Sequence, residues 1–243
     1  MHPVICKIGP LTIYSYGLML VIAFMVTTWL ASAEARRRGI HPDIIFNLNF
    51  VILICGIIGA RILYISCNLS YYLRNPLEMI MLQKGGLAWF GGLACGMASA
   101  ILYLRFKKLP VLKIADLLMP FIALGQAIGR LGCFLNGCCF GKESSHGIYS
   151  PAQGAVLIPT QLYSALLLVF IFIVLRFLQK RPHKEGQILF AYLLLYSVKR
   201  FFIEFWRGDS PTILFGLTLF QFISLAVFLA GAAGLFFIKI KKG

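Results

Sequence analysis

The sequence predicts an all-α, polytopic membrane protein with seven transmembrane helices, and three observations support this fold class. Hydrophobic residues make up 60% of the 243 residues and charged residues only 13%, whereas roughly a quarter of the residues in a soluble domain are charged. The mean hydropathy is +0.86. The apolar residues also gather in runs of about 20, the length that a helix needs to cross the hydrocarbon core. A lipid bilayer is therefore the expected solvent for this chain.

The apolar runs follow one another without a linker or an internal repeat. In chain order they cover residues 11–33, 44–66, 87–104, 114–132, 157–178, 186–204 and 213–238. The sequence 36–38 is Arg-Arg-Arg and directly follows the first run, which marks a retained helix rather than a cleaved signal peptide. Because nothing divides the chain, residues 1–243 are predicted to form a single transmembrane domain.

The Lys and Arg residues predict how the spans are oriented. With seven spans, alternate connecting segments lie on the same side of the membrane. One set contains most of the 23 Lys and Arg residues: Arg36, Arg37, Arg38, Arg105, Lys107, Lys108, Lys113, Arg176, Lys180, Arg181, Lys184, Lys239, Lys241 and Lys242. The positive-inside rule makes this side cytoplasmic, so that the N-terminus is outside and the C-terminus is inside. The net charge of +15 then fits anionic lipid headgroups rather than nucleic acid.

Nine basic residues break this pattern, because they fall on the outer side or in the outer halves of spans. They are Lys7, Arg61, Arg74, Lys84, Arg130, Lys142, Lys199, Arg200 and Arg207. An ionisable residue inside a span is costly and marks a candidate functional site. Arg61 is interpreted either as an anion ligand or as half of a structural pair with an acidic group. Arg200 and Glu204 share one helix face with Tyr196, which indicates a lipid-headgroup site or a local ion pair.

The segment from Gly129 to Gly141 is the most unusual in the chain. Four glycines, an arginine and an asparagine occur in it together with three cysteines. Glycines such as Gly137 let backbone N–H groups approach an anion closely, and Arg130 can donate two parallel hydrogen bonds to a phosphate. The segment therefore predicts a phosphate site, with a helix-ending turn as the alternative.

Three of the seven cysteines, Cys133, Cys138 and Cys139, cluster in this segment. A disulfide is favoured because the segment faces an oxidising compartment, and a catalytic thiol is expected if Arg130 lowers a cysteine pKa. A zinc site is disfavoured, because a second CxxC is missing and His146 stands alone. Neither a metal nor a cofactor is predicted.

Several motifs occur in a characteristic order along nearly the whole chain. They are Tyr16-Gly17, Gly59-Ala60-Arg61, Gly129-Arg130, Pro159-Thr160-Gln161-Leu162-Tyr163, Arg200-Phe201-Phe202-Ile203-Glu204-Phe205 with Arg207, and Gln221 with Ser224. This order resembles the prolipoprotein diacylglyceryl transferase family. The resemblance implies a multi-pass enzyme of the bacterial cytoplasmic (inner) membrane that moves the diacylglyceryl group of phosphatidylglycerol onto the lipobox cysteine of a lipoprotein precursor. The product is a thioether, and glycerol phosphate leaves.

The resemblance also implies roles for individual residues. Arg130 and Arg200 would hold the phosphate, and Glu204 would orient Arg200. The residues expected to line the substrate cavity are Tyr16, Arg61, Asn136, Gly137, Cys139, Gln161 and Tyr196. We add Cys133 and Cys138 to the catalytic candidates, because thiols in this position are able to take part in group transfer.

The chain departs from the family pattern where proton transfer is expected. Phe90 stands at the family's usual histidine, and Ser164 at a usual glutamate. In the signature Gly-Arg-x-x-Asn-Phe-x-Asn-x-Glu, Cys133 replaces the first asparagine and Cys138 the glutamate. A related transferase with another thiol acceptor, a cysteine-relay or redox mechanism, and a non-enzymatic lipid-binding or transport protein therefore remain alternatives.

Overall fold

A computed structural model describes residues 4–8, 11–81, 85–151 and 153–240; Lys84, Lys241 and Lys242 lie outside the described residues. Within them the chain forms eight α-helices: α1 Ser15–Arg37, α2 Pro42–Cys67, α3 Leu69–Arg74, α4 Trp89–Phe106, α5 Val111–Asn136, α6 Thr160–Gln179, α7 Gln187–Glu204 and α8 Leu219–Ile240. Six of these, α1, α2, α4, α5, α6 and α8, are long and apolar enough to cross a membrane. A polytopic helical membrane protein is thus confirmed. Helix α7 matches the predicted sixth span but carries Lys199, Arg200 and Glu204.

Three short hairpins correct the all-α prediction. They pair β1 Val4–Ile8 with β2 Leu11–Tyr14, β3 Glu143–Ser150 with β4 Ala155–Leu157, and β5 Thr212–Leu214 with β6 Leu217–Thr218. Each pair is antiparallel. Two of them occupy residues assigned to the starts of the first and last spans, because an apolar run of a few residues fits a strand as well as a helix.

The chain divides into two compact units, residues 1–31 with 112–243 (the first unit) and residues 32–111 (the second unit). The core of the first unit is built from α5, α6 and α7. Its buried side chains are Ala123, Ala127, Leu168, Ile171, Leu175, Ile188 and Tyr192. Large apolar side chains on the outside of α6, such as Leu166 and Phe170, are exposed, as expected for a surface that faces lipid.

One end of this core is fixed by Asp116 and Gln179. Pro120 lies inside α5, and because proline has no N–H, the carbonyl of residue 116 loses its helical donor. Gln179 Nε2 donates to that carbonyl oxygen at 2.7 Å. The Asp116 carboxylate accepts from the backbone N–H groups of Gly186 at 2.6 Å and Leu189 at 2.8 Å. It thereby caps the first turn of α7, which locks α5, α6 and α7 in register.

In the second unit, α2 and α4 touch backbone to backbone through glycines. A Cβ atom added to Gly59 would lie 2.7 Å from the carbonyl oxygen of Gly91 and still closer to the side chain of Cys95. A Cβ atom added to Gly92 would similarly lie 3.1 Å from the carbonyl oxygen of Gly56. Small residues at such positions are what allows helices to associate closely inside a membrane.

Candidate active site

The C-terminal end of α7 carries a buried chain of ion pairs. Arg200 Nη2 lies 2.9 Å from Glu204 Oε2, in an ion pair without hydrogen-bond alignment. The other carboxylate oxygen accepts from the Thr218 hydroxyl at 3.1 Å. Arg207 Nε lies 3.9 Å from Glu204 Oε2 and also donates to Asp209 at 2.8 Å. Thr218 and Arg207 thus hold the Glu204 carboxylate, which in turn orients Arg200.

Residues at the start of α8 pack against the Arg200–Glu204 pair. The guanidinium carbon of Arg200 lies 4.5 Å from the centre of the Phe220 ring, a cation–π distance. Gln221 accepts from the backbone N–H of Thr218 at 2.8 Å and is buried. Packing α8 against α7 therefore positions the ring and the hydroxyl that surround the Arg200–Glu204 pair.

Arg130 lies one helical turn before Cys133 on α5, and its charge acts on Lys199, Arg200 and Cys139. The charge of Arg207 acts on the same three residues. We call Arg130, Lys199, Arg200 and Arg207 the cation cluster. In the part of the chain that the structure describes, the ion pairs of the cation cluster involve two carboxylates, Glu204 and Asp209. The three arginines of the cation cluster outnumber these two carboxylates, so a buried anion would be attracted here.

Lys199 is a member of the cation cluster that the sequence did not single out. It is buried, with 5% of its surface exposed. Its Nζ donates to the Ser164 hydroxyl at 3.0 Å and lies 4.7 Å from the Tyr196 ring centre. The sequence could have identified Lys199 because it is one of the basic residues that break the positive-inside pattern. The same observation applies to Arg207.

A tight turn follows α5 and carries the cysteines. Gly137 and Cys139 have φ angles of 76° and 60°, a backbone region that non-glycine residues rarely adopt. Two side chains at the start of α6 hold the turn in place. Gln161 Nε2 donates to the Cys138 carbonyl oxygen at 2.7 Å, and the Thr160 hydroxyl donates to that of Cys139 at 2.9 Å.

This turn brings the sulfur atoms of Cys133, Cys138 and Cys139 together, and we call these residues the thiol cluster. Their Sγ atoms all lie within 4.8 Å of one another, and all three are free thiols. Hydrogen bonds from the Cys133 and Cys138 thiols, together with the charges of Arg207 and Arg130, lower the pKa of Cys139. The thiol and cation clusters therefore adjoin each other.

Comparison with known proteins shows the family of this chain. A family model described as prolipoprotein diacylglyceryl transferase matches residues 3–237. The chain belongs to the prolipoprotein diacylglyceryl transferase family. It is 34% identical over 239 residues to a phosphatidylglycerol–prolipoprotein diacylglyceryl transferase of Clostridium tetani, covering 95% of each chain. Proteins of the same name from Clostridioides difficile (37% over 216 residues, covering 89% of this chain and 87% of the relative) and Bacillus licheniformis (33% over 245 residues, 96% and 91%) are also similar.

Most residues that the family pattern predicted for the site meet within the first unit. Asn136 ends α5, and its side chain interacts with that of Cys138. Tyr16 begins α1; a Cβ added to Gly132 would lie 3.4 Å from its ring, and Arg130 and the thiol cluster act on it electrostatically. Tyr196 acts on Arg200. Their roles in binding substrate stay predictions.

Arg61 was also predicted to line the substrate cavity, but it lies in the second unit rather than in the first. Its guanidinium group donates to the backbone carbonyl oxygens of Glu78, Met79, Met81, Gly85 and Gly86. Its guanidinium carbon is 5.3 Å from the centre of the Tyr72 ring. The acceptors are main-chain atoms rather than the acidic side chain that the structural alternative expected. These contacts fix the segment that leads into α4.

Proposed function

We propose that this chain transfers the diacylglyceryl group of phosphatidylglycerol to the cysteine thiol of a prolipoprotein. The observation that carries the proposal is the cation cluster, in which Arg130, Lys199, Arg200 and Arg207 converge at one end of the first unit. In a membrane, the anion that such a cluster would bind is the phosphodiester of a lipid headgroup. The relatives described above are named for this donor and this acceptor.

The proposed reaction is a displacement at the glyceryl carbon that bears the phosphate. The acceptor thiolate attacks this carbon, a C–S bond forms, the C–O bond breaks, and glycerol phosphate leaves with the electron pair. Negative charge grows on the departing phosphate, so cations fixed in a water-poor site stabilise the transition state more than the bound lipid. Arg130 and Arg200 would hold the phosphate in this mechanism, and Glu204 would orient Arg200.

The remaining predicted residues would surround the substrates. Tyr16, Asn136, Gly137 and Gln161 would line the cavity near the thiol cluster, and Tyr196 would do so beside Lys199. Arg61 would act indirectly, by positioning the segment before α4. Each assignment is a proposal drawn from the contacts above and from the family pattern.

We further propose seven spans, with α7 as the sixth in order, in the bacterial cytoplasmic membrane. The basic segments after α1, α4 and α6 support a cytoplasmic C-terminus and an outer N-terminus. A fluorescent protein fused to the C-terminus should fluoresce, whereas alkaline phosphatase fused at the same point should be inactive. The opposite pair of results would reverse the orientation.

The function is tested with purified protein, labelled phosphatidylglycerol and a lipobox peptide. Wild-type protein should transfer the label to the peptide, and Arg130→Ala should lower the rate by about 100- to 1,000-fold. Arg74→Ala is the matched control, because Arg74 is exposed on α3. A wild-type protein that transfers no label, or an Arg130→Ala variant as active as Arg74→Ala, would refute the proposal.

A second candidate differs in the acceptor or in the use of a cysteine. The thiol cluster beside the cation cluster favours it, since Arg130 and Arg207 act on Cys139 of the thiol cluster. In a relay, Cys138 or Cys133 would accept the diacylglyceryl group before the final thiol does. Mass spectrometry after incubation with phosphatidylglycerol alone would then reveal a lipid adduct on one of these residues. If instead the acceptor differs, label should be transferred to a small thiol compound that is supplied in place of the lipobox peptide.

A further inference from the structure

The backbone that carries the thiol cluster is held by several hydrogen bonds. Its three sulfur atoms come from the end of α5 and from a turn with two residues at positive φ. Hydrogen bonds from Thr160 and Gln161 hold the carbonyl groups of that turn, and the Cys138 N–H donates to the Cys133 carbonyl oxygen at 3.1 Å. These contacts fix the backbone that carries the three sulfur atoms, and a metal site needs ligands held in position in this way.

We propose that Cys133, Cys138 and Cys139 bind a zinc-class divalent cation as three thiolates and that its fourth position receives the thiol of the acceptor cysteine. This inference rests on the proposed function. Zn–S bonds of about 2.3 Å in a tetrahedral site place the sulfur atoms roughly 3.8 Å apart. The observed separations, all within 4.8 Å, are close to this geometry. The missing fourth protein ligand, which disfavoured zinc on sequence grounds, is the open position that a catalytic zinc needs.

The charges around the thiol cluster suit this occupant. Three thiolates and one divalent cation carry a net charge of −1, and a bound acceptor thiolate adds another negative charge. Arg130 and Arg207 both act on Cys139 from the cation cluster. The same two arginines would therefore neutralise the metal–thiolate group and stand beside the phosphate of the lipid.

The chemistry also favours a metal over a covalent relay. A diacylglyceryl group attached to Cys138 would be a thioether, and passing it on would require a second C–S bond to break with a thiolate as leaving group. A metal avoids this step. On coordination the acceptor S–H loses its proton to solvent, because a bound cation makes thiolate the stable form. This thiolate then attacks the glyceryl carbon, the C–O bond breaks, and glycerol phosphate leaves.

The product sulfur has no negative charge and is a weaker ligand, so it leaves the metal, whose oxidation state never changes. This route also supplies a deprotonated nucleophile in a chain that has Phe90 at the family's usual histidine position. The cysteines would thus replace a general base by a Lewis acid.

The first measurement uses the full-length protein in phosphatidylglycerol nanodiscs. Metal analysis should find stoichiometric zinc in wild type and in Cys67→Ser, the control at the exposed end of α2. Cys133→Ser, Cys138→Ser and Cys139→Ser should each lose it. Two outcomes would overturn the inference. One is that all three variants retain zinc, and the other is that the wild-type protein contains none when it is purified in its folded state with zinc in the buffers.

The second measurement needs no variant and so does not depend on how well the serine variants fold. Cobalt loaded into wild type should give thiolate-to-metal charge-transfer absorption that grows when a lipobox peptide is added. X-ray absorption should show three sulfur ligands rising to four. The same peptide with serine in place of its cysteine should change neither signal. An unchanged spectrum with the cysteine peptide, a disulfide within the thiol cluster, or a lipid adduct on it would overturn the inference.

Label transfer separates this inference from the proposed function. A free thiol with a pKa of about 8.5 is roughly 3% thiolate at pH 7, so metal-free protein should transfer label about 30-fold more slowly. Metal-free protein that transfers at the wild-type rate would refute the metal site and leave the transferase standing. Protein that binds the peptide cysteine through cobalt but never transfers label would support the metal site and refute the transferase.

Discussion

Arg61 in the second unit and Arg200 in the first unit are both buried arginines on long helices, and their partners differ in kind. Arg61 donates to a set of backbone carbonyl oxygens between residues 78 and 86. Arg200 faces one carboxylate, from Glu204, and the ring of Phe220. It also stands among the other cations of the cation cluster.

The difference teaches that burial alone does not assign a role to an arginine in a membrane protein. Carbonyl groups carry no net charge, but several of them together satisfy a guanidinium group and order the backbone that supplies them. A carboxylate shared by Arg200 and Arg207 balances only part of the charge around it. The first arrangement stabilises a segment of chain, whereas the second retains positive charge for an anionic substrate.

The largest effect is expected for Arg200→Ala. Removing one preorganised donor to a developing negative charge lowers kcat/KM by about 100- to 1,000-fold, because the remaining cations cannot occupy the same position. Thermal stability in detergent should fall less than in Arg61→Ala, because Arg207 and Thr218 still contact the Glu204 carboxylate. Label transfer, corrected for the amount of folded protein, checks this prediction. If Arg200→Ala unfolds the protein but leaves transfer per folded molecule intact, the contrast with Arg61 disappears.

Arg61→Ala should show the converse behaviour. Several buried carbonyl groups would lose a charged donor at once, so the free energy of unfolding should fall by about 3 kcal/mol. Transfer per folded molecule should fall much less than in Arg200→Ala, because Arg61 would act only by positioning the segment before α4. Thermal unfolding and label transfer on the same preparation test both statements. A fully stable Arg61→Ala variant with little transfer would instead make Arg61 a substrate ligand.

Lys199→Met sharpens the comparison within the first unit. Methionine has a similar length and no charge, so it keeps the packing beside Ser164 and Tyr196. Burying an amino group in a low-dielectric site costs free energy, and methionine removes this cost. We expect unchanged or higher thermal stability, and about tenfold slower transfer, equivalent to about 1.4 kcal/mol. Equal transfer rates would remove Lys199 from the group that acts on the phosphate.

The smallest effect is expected for Thr218→Val. This change removes the hydroxyl that donates to Glu204 while keeping the shape of the side chain. One such hydrogen bond contributes about 1 kcal/mol, so transfer should fall about fivefold through a less well oriented Arg200. Thr212→Val, on the exposed strand β5, is the matched control. Equal rates for the two variants would show that the hydroxyl does not orient Glu204.

Several features of the site were predictable because they depend on neighbours along the chain. Arg200 and Glu204 are four residues apart on one helix, so their pairing follows from helical geometry. The order of short motifs identified the family, which the comparisons confirm. Arg130 was singled out because a charge in an apolar run is costly wherever the run packs.

Other features depend on which distant segments meet. The hairpin β5–β6 was missed because its strands are too short for a period to distinguish them from a helix. Lys199 was passed over because its partner Ser164 is 35 residues away. The thiol cluster was interpreted from spacing alone, which could not show that all three sulfur atoms converge.

The sequence by itself determined that this protein is helical, lies in a membrane and belongs to a transferase family, since hydropathy and motif order are properties of the linear chain. Tertiary structure alone decided that Arg61 binds backbone carbonyls, that Asp116 caps α7, and that Cys133, Cys138 and Cys139 form one cluster. The physical reason is that an ionisable or thiol side chain takes its role from the atoms packed around it. Those atoms come from segments whose approach is fixed only when the helices dock.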